Sequence, residues 1–225
     1  MKASDYARIE RYMQSCMADS AHDKEHIYRV LYTALDIAGQ ESGVNLDILI
    51  TACLLHDIGR QEQFENPRLC HAAAGAEKAR AFLLESGFSS DFAGEVAACI
   101  RSHRYRADNP CRSIEAKVLF DADKIDVSGA LGIARSLLYI GQVGEPLYSF
   151  RENGEILDGT DAGAPSFFRE YKFKLETLYT HFFTRRGAEI ACQRQQTAKT
   201  FYEDMLKEAT ESYRMKAKLW GEILE

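Results

Sequence analysis

Apolar residues along this chain recur every three or four positions rather than every second one. Ile27, Val30, Leu31, Ala34, Leu35 and Ala38 follow the i, i+3, i+4, i+7 rule, and Gly39 and Gly43 supply stop signals. A second helix is expected from Asn45 or Asp47, burying Leu49, Ile50, Cys53 and Leu54 and ending at Gly59. A third follows His71 through the alanine-rich stretch Ala72 to Leu84, closed by Ser86-Gly87, and its small residues predict a close approach to a neighbouring helix. Asp91 is a candidate cap for a fourth, with Phe92, Val96 and Ile100 in line and His103 one turn later. Ser113 opens a fifth through Ile114, Val118, Leu119 and Ala122. No segment alternates convincingly with period two, so an all-α fold is expected.

From Gly141 to Pro165 the character changes. Five glycines, two prolines and several acidic residues read as a long loop, a candidate flap over substrate. Beyond it, Ser166 is placed to cap a helix carrying Phe173, Leu175, Leu178 and Phe182. A last helix runs from about Ala188 with Tyr202, Leu206, Ala209, Tyr213 and Trp220 near a 3.6 spacing. The amphipathic pattern on both sides of the loop predicts one domain over 1–225: a core over about 20–140, a loop over 141–165, and C-terminal helices over 166–222 packed on the same body.

Composition narrows the function without naming it. The 225 residues are 46% hydrophobic and 28% charged, ordinary for a globular chain, and the formal net charge is −6. An overall negative field gives a nucleic-acid polyanion little to bind, so no extended nucleic acid is expected as a partner, whereas a local positive pocket for a small phosphorylated ligand is compatible. The opening Met1-Lys2-Ala3-Ser4-Asp5-Tyr6 has no apolar run behind its lysine, so no signal peptide is expected, and no stretch approaches a membrane span. The six cysteines (Cys16, Cys53, Cys70, Cys99, Cys111 and Cys192) include no C-x-x-C pair, and Cys53 and Cys99 fall in apolar helical positions. A reduced, cytoplasmic protein is the expectation.

The chemistry concentrates in four potential ligands on separate helices: His26, the dipeptide His56-Asp57, and Asp123. Mixed imidazole and carboxylate ligands suit a divalent transition metal such as manganese, iron, cobalt, nickel or zinc. Four protein ligands on an octahedral ion leave two positions, for water and a phosphate oxygen, which is what a hydrolase requires.

Three segments carry a family likeness: His22-Asp23-Lys24-Glu25-His26-x-x-Arg29-Val30, Leu54-Leu55-His56-Asp57-Ile58-Gly59, and Asp121-Ala122-Asp123-Lys124-Ile125-Asp126. Together they resemble the HD-domain metal-dependent phosphohydrolases, most of all the small bacterial YedJ- and YpgQ-like branch. The likeness extends through Gly129 to Arg135, Glu145-Pro146-Leu147-Tyr148-Ser149 and the C-terminal helices, nearly the whole chain. It implies an HD-type helical bundle and makes His26, His56, Asp57 and Asp123 the metal ligands. Asp121 and Asp126 lie close by; Asp123 is chosen because it directly precedes Lys124, as the ligand aspartate does in related members. The same resemblance makes Lys124 a candidate phosphate contact and Arg29 a residue behind the ligands or on phosphate.

In two-metal members of the superfamily, two further histidines fall between the His-Asp pair and the last aspartate. His71 and His103 occupy that order, as ligands of a second ion or as an acid for the leaving oxygen, with one ion expected rather than two. Arg101, Arg104 and Arg106 around His103 would suit a polyphosphate, and Tyr105 could stack on a base. The Gly-Tyr-Pro element of the cyclic-dinucleotide subgroup is absent, which counts against such a substrate. His22 reads as a cap or rim residue, and His181, among Tyr179, Phe182 and Phe183, as a packed core histidine. The function implied is hydrolysis of a small nucleotide, with pyrophosphate released from nucleoside triphosphates. Monophosphate phosphatase or phosphodiesterase activity, or a non-catalytic nucleotide sensor, are the alternatives, and a homodimer is compatible with all of them.

Overall fold

A computed structural model of the chain describes residues 1–17, 24–104, 109–161 and 163–223. Those residues are mostly helical, with no strand among them and one isolated antiparallel bridge between Phe150 and Ile156. They divide into two compact units: Met1–Asp126 with Phe182–Ala188, and Val127–His181 with Glu189–Glu225.

The first unit is built on seven helices: α1 (Ala3–Cys16), α2 (Lys24–Ala38), α3 (Leu46–Leu55), α4 (Arg60–Glu65), α5 (His71–Glu85), α6 (Ser90–Ser102) and α7 (Ile114–Asp126). Helix α3 is the axis. Ile48, Leu49 and every residue from Thr51 to Leu55 are buried, as a helix apolar on nearly every side after its first turn must be, and α1, α2, α6 and α7 pack around it. Its start is fixed by the Asn45 side chain, which accepts from the amides of Asp47 and Ile48 at 3.1 and 3.3 Å. The buried Glu115 carboxylate of α7 accepts from the Asn45 amide at 2.7 Å.

The alanine-rich helix makes the close approach its composition predicts. A β-carbon at Gly59 would lie 2.3 Å from the His71 carbonyl oxygen and 2.4 Å from the Gly75 nitrogen. Backbone therefore touches backbone where the turn after α3 meets α5, and only glycine fits at position 59.

The second unit carries α8 (Gly129–Val143), α9 (Phe167–Glu170) with a π-helical turn over Tyr171–Leu175, and a 3₁₀ turn over Leu178–Thr180. It also holds α10 (Arg185–Ser212) from Glu189 onward, α11 (Met215–Lys218) and a second π-helical turn over Leu219–Ile223. Its core is Ile133, Ile140, Phe167, Phe168, Tyr171, Leu175, Ala198 and Tyr202. Tyr171 stacks on Tyr202 at 4.2 Å, and the Tyr202 hydroxyl donates to the Asp158 carbonyl, pinning the irregular 144–166 stretch.

Several local expectations are corrected. Leu35 is exposed and Ile37 takes the buried position, because the inner face of α2 continues from Ala34 through Ile37 and Ala38. Ser89, not Asp91, caps α6, accepting from the Phe92 amide at 3.2 Å. Ser166 caps a helix as expected, accepting from the Arg169 amide at 3.3 Å, but that helix breaks within two turns and leaves Phe173 exposed. His181 is exposed rather than core. Helix α10 ends at Ser212, so Tyr213 and Trp220 do not continue its buried face. His22, Tyr105 and Arg106 lie outside the described residues.

Two glycines give opposite predictions. Gly59→Ala forces α5 away from the turn after α3 and should destabilise the protein by about 3 kcal/mol, read from the urea midpoint. Gly94, inside α6, has open space where a β-carbon would go, and Gly94→Ala should stabilise by about 0.5–1 kcal/mol in the same assay.

Candidate metal centre

The first unit brings six of the singled-out residues together, most of them from helix ends. His26 is in the first turn of α2; His56 closes α3 and Asp57 follows it. His71 opens α5, His103 closes α6, and Asp123 stands on α7. Five of the six are essentially removed from solvent and Asp123 is nearly so.

Each imidazole is held by the same device. Nδ1 of His56 donates to the Cys53 carbonyl at 2.7 Å, and Nδ1 of His103 to the Ile100 carbonyl at 2.6 Å. Nδ1 of His71 donates to the Gln63 amide oxygen at 2.6 Å, and Nδ1 of His26 to Asp126 Oδ2 at 2.8 Å. Carbonyl and carboxylate oxygens can only accept, so a proton sits on each Nδ1 and each Nε2 points inward, as a lone pair wherever the ring is neutral.

Those lone pairs face one another. Nε2 of His26 is 3.3 Å from Nε2 of His56, 3.4 Å from Asp123 Oδ1 and 3.5 Å from Asp57 Oδ2. On the other side, Nε2 of His71 is 3.3 Å from Nε2 of His103, and the two are 3.5 and 3.7 Å from Asp57 Oδ1. Asp57 thus turns one oxygen to each cluster. Its Oδ1 is buried and accepts no hydrogen bond among the described residues. An orphaned carboxylate oxygen amid convergent lone pairs is costly for a protein alone and fits a divalent cation. Two sets of ligand atoms, His26–His56–Asp123 and Asp57–His71–His103, each lie within 4.8 Å of one another and could hold one.

Electrostatics divides the histidines. Burial disfavours charge on His26, but the carboxylates of Asp123, Asp126 and Asp57 outweigh it and raise its pKa to about 10. Burial, with Arg60 nearby, lowers His71 to about 3; burial, with His56 nearby, lowers His103 to about 4. Asp57 and Asp123 sit well below the usual carboxylate range, because the surrounding histidines and the Arg60 and Lys124 cations overcome their burial.

The three aspartates of α7 take three roles. Asp121 accepts from the amides of Phe183 and Thr184 and from the Thr184 hydroxyl, holding the segment that leads into α10. Asp126 anchors His26 and receives Arg29, Nε at 2.6 Å and Nη2 at 3.1 Å. Of the three, Asp123 is the one that turns an oxygen to the inward Nε2 atoms of His26 and His56. Arg29 therefore stands behind the ligands. Lys124 Nζ lies 3.9 Å from Asp123 Oδ2. Arg104 is half-buried with its guanidinium 3.9 Å from the Cys70 sulfur, and Arg101 is on the exposed side of α6, paired with Glu77.

Two contributors carry no motif signal. Arg60 places Nε 2.9 Å from Asp57 Oδ2 while keeping part of its side chain in solvent. Gln63 orients His71. Both lie on α4, a helix too short to show periodicity; the only available hint for Arg60 was its place three residues after Asp57.

The chain is similar to known proteins. The family model described as HD domain matches residues 24–128. The protein YpgQ of Bacillus subtilis is 32% identical over 148 residues, 63% of this chain and 69% of that one. Its crystal structure in complex with ADP aligns with a TM-score of 0.69 at 27% identity, covering 90% of this chain and 97% of the other. A predicted HD superfamily hydrolase from an uncultured Thermotogales bacterium aligns with a TM-score of 0.58 at 29% identity, covering 92% of each chain.

Because His26 keeps its Nε2 proton up to about pH 10, a cation entering its cluster at pH 7.5 must displace it. Calorimetry in buffers of different ionisation enthalpy should show about one proton released for the first ion, with affinity rising about tenfold per pH unit between pH 7 and 9. His26→Asn should abolish the proton release.

Proposed function

The chain belongs to the HD-domain family of metal-dependent phosphohydrolases, and on that basis we propose that it hydrolyses small nucleotides, releasing pyrophosphate from nucleoside or deoxynucleoside triphosphates. The observation that carries this reading is the set of groups converging on Asp57: four inward Nε2 atoms and two carboxylates, with Asp57 Oδ1 buried and accepting no hydrogen bond among the described residues, a donor set that suits a cation. His26, His56, Asp57 and Asp123 would hold one divalent transition metal. Such an ion would supply a lowered pKa for a water nucleophile and offset phosphoryl charge.

The chain's own residues do the rest. Asp126, clamped by Arg29, fixes the His26 ring and its basicity. With pKa values of about 3 and 4, His71 and His103 are neutral at physiological pH, so they act as lone-pair acceptors that orient water or take a weaker second ion, not as acids. The carboxylates of Asp57, Asp123 and Asp126 are matched by Arg60, Lys124 and Arg29, so a divalent ion leaves the site with net positive charge, suited to a polyphosphate. Arg60 and Lys124 keep side-chain surface in solvent and can turn to phosphate oxygens, with Arg104 further out. The ADP complex of YpgQ supports a nucleotide rather than another phosphate compound.

A panel of nucleotides incubated with the metal-loaded protein and resolved by chromatography tests this. Monophosphate and pyrophosphate are expected; nucleoside and phosphate would instead mark a monophosphatase, and tight nucleotide binding without turnover a sensor. Asp57→Ala should lower kcat/KM by about a thousandfold or more. Lys124→Ala should mainly raise KM, by about tenfold, as a lost phosphate contact does.

A further inference from the structure

We propose that the cavity on the outer side of α6 is a second ligand site, apart from the metal centre, and that it takes a nucleoside phosphate. The cavity has a volume of about 660 Å³, within the range of about 300–1,000 Å³ usual for small-ligand sites. None of the six candidate metal ligands lines it. Its floor is low because α6 carries small residues there. Gly94, Ala97 and Ala98 line the cavity, and nothing stands within 4 Å of where a Gly94 β-carbon would be. Ile48 and Ala116, both buried, extend that apolar surface onto α3 and α7.

Six charged side chains line the same cavity, and their pairing defines what is left for a ligand. Arg101 is paired with Glu77, and the buried Glu115 carboxylate accepts from the Asn45 amide at 2.7 Å. Arg80 and Arg112 are exposed and enter no ion pair among the described residues, and neither does Glu95. A ligand that satisfies the remainder carries a multiply charged anion for the guanidiniums, donors for Glu95 and an apolar body for the floor. A nucleoside phosphate has all three: phosphate oxygens, ribose hydroxyls or base amino groups, and a flat base. A nucleic-acid strand fits worse, because Glu77, Glu95 and Glu115 interrupt the positive charge that a continuous backbone needs.

One turn of helix joins this cavity to the centre. Asn109, on the cavity wall, donates from Nδ2 to the Arg101 carbonyl at 2.6 Å, and the Cys111 thiol donates to the Ser102 carbonyl at 3.3 Å. The next residue is His103, whose Nε2 is 3.3 Å from that of His71. What fills the cavity therefore touches the turn that presents a candidate ligand.

Equilibrium dialysis of the metal-loaded protein with α,β-methylene-ATP, which resists cleavage to pyrophosphate, counts the sites. About two equivalents per chain are expected for the wild type and Gly94→Ala, and about one for Gly94→Trp, whose indole would fill the cavity. Arg80→Glu and Arg112→Glu should each weaken the second equivalent by about tenfold or more. Inorganic triphosphate, lacking base and ribose, should bind there about tenfold more weakly than the analogue. Should circular dichroism show that Gly94→Trp does not fold, Arg112→Glu, on the exposed segment ahead of α7, decides. Equal counts for wild type and Gly94→Trp, or a second equivalent unaltered in both arginine variants, would overturn the inference. So would triphosphate binding as tightly as the analogue, which would leave a site for an inorganic anion. The difference between wild type and Gly94→Trp stands apart from the reading of the metal centre: a centre that binds no nucleotide lowers both counts equally and leaves it intact.

Discussion

Everything in the first unit is arranged around a repulsion that the protein alone relieves only in part. Four imidazole Nε2 atoms and two carboxylates converge at 3.3–3.9 Å, and the Nδ1 protons that might have separated them are committed outward to oxygen acceptors. Without a cation, one histidine must take up a proton, and His26 does so because it has the most carboxylates around it. Binding a metal replaces that makeshift positive charge with a stronger one. The fold and the ion are therefore linked, since residues from five helices share one electrostatic problem.

Helix α7 shows how a single turn and a half of helix divides the labour. Asp123 and Asp126 differ by about 60° around the helix, whereas Asp121 points more than 100° from either. The first two face the histidines and their supports, and Asp121 faces the backbone of Phe183 and Thr184. Three chemically identical side chains become a ligand, an anchor and a cap through phase alone.

Much of this was legible in the sequence. The helices with a long apolar stripe, α2, α3, α5 and α7, show their period because burial demands it, and the His-x-x-Arg, His-Asp and Asp-Lys motifs mark positions that the structure brings together. What escaped has a physical reason in each case. Helix α1 buries only Ile9 and Met13, so its polar face drowns the signal, and α4 buries nothing. Helix α8 hides behind its glycines. Gln63 and Arg60 act through a neighbour's side chain, a relation that no spacing rule encodes. The supports of His56 and His103 are carbonyls, which have no residue identity at all. Three arginines near His103 read as one cluster in sequence, yet the described pair separates, Arg101 toward Glu77 and Arg104 toward Cys70.

The contact at Gly59 carries a consequence of another kind. It sets how near the end of α3 comes to the start of α5, and with it how near His71 comes to Asp57. The other ligand group draws on α2, α3 and α7 and does not depend on that contact. Within a lineage, a change of side-chain volume at a position bearing no ligand atom would therefore retune the His71 half directly and reach the other half only through the shared Asp57.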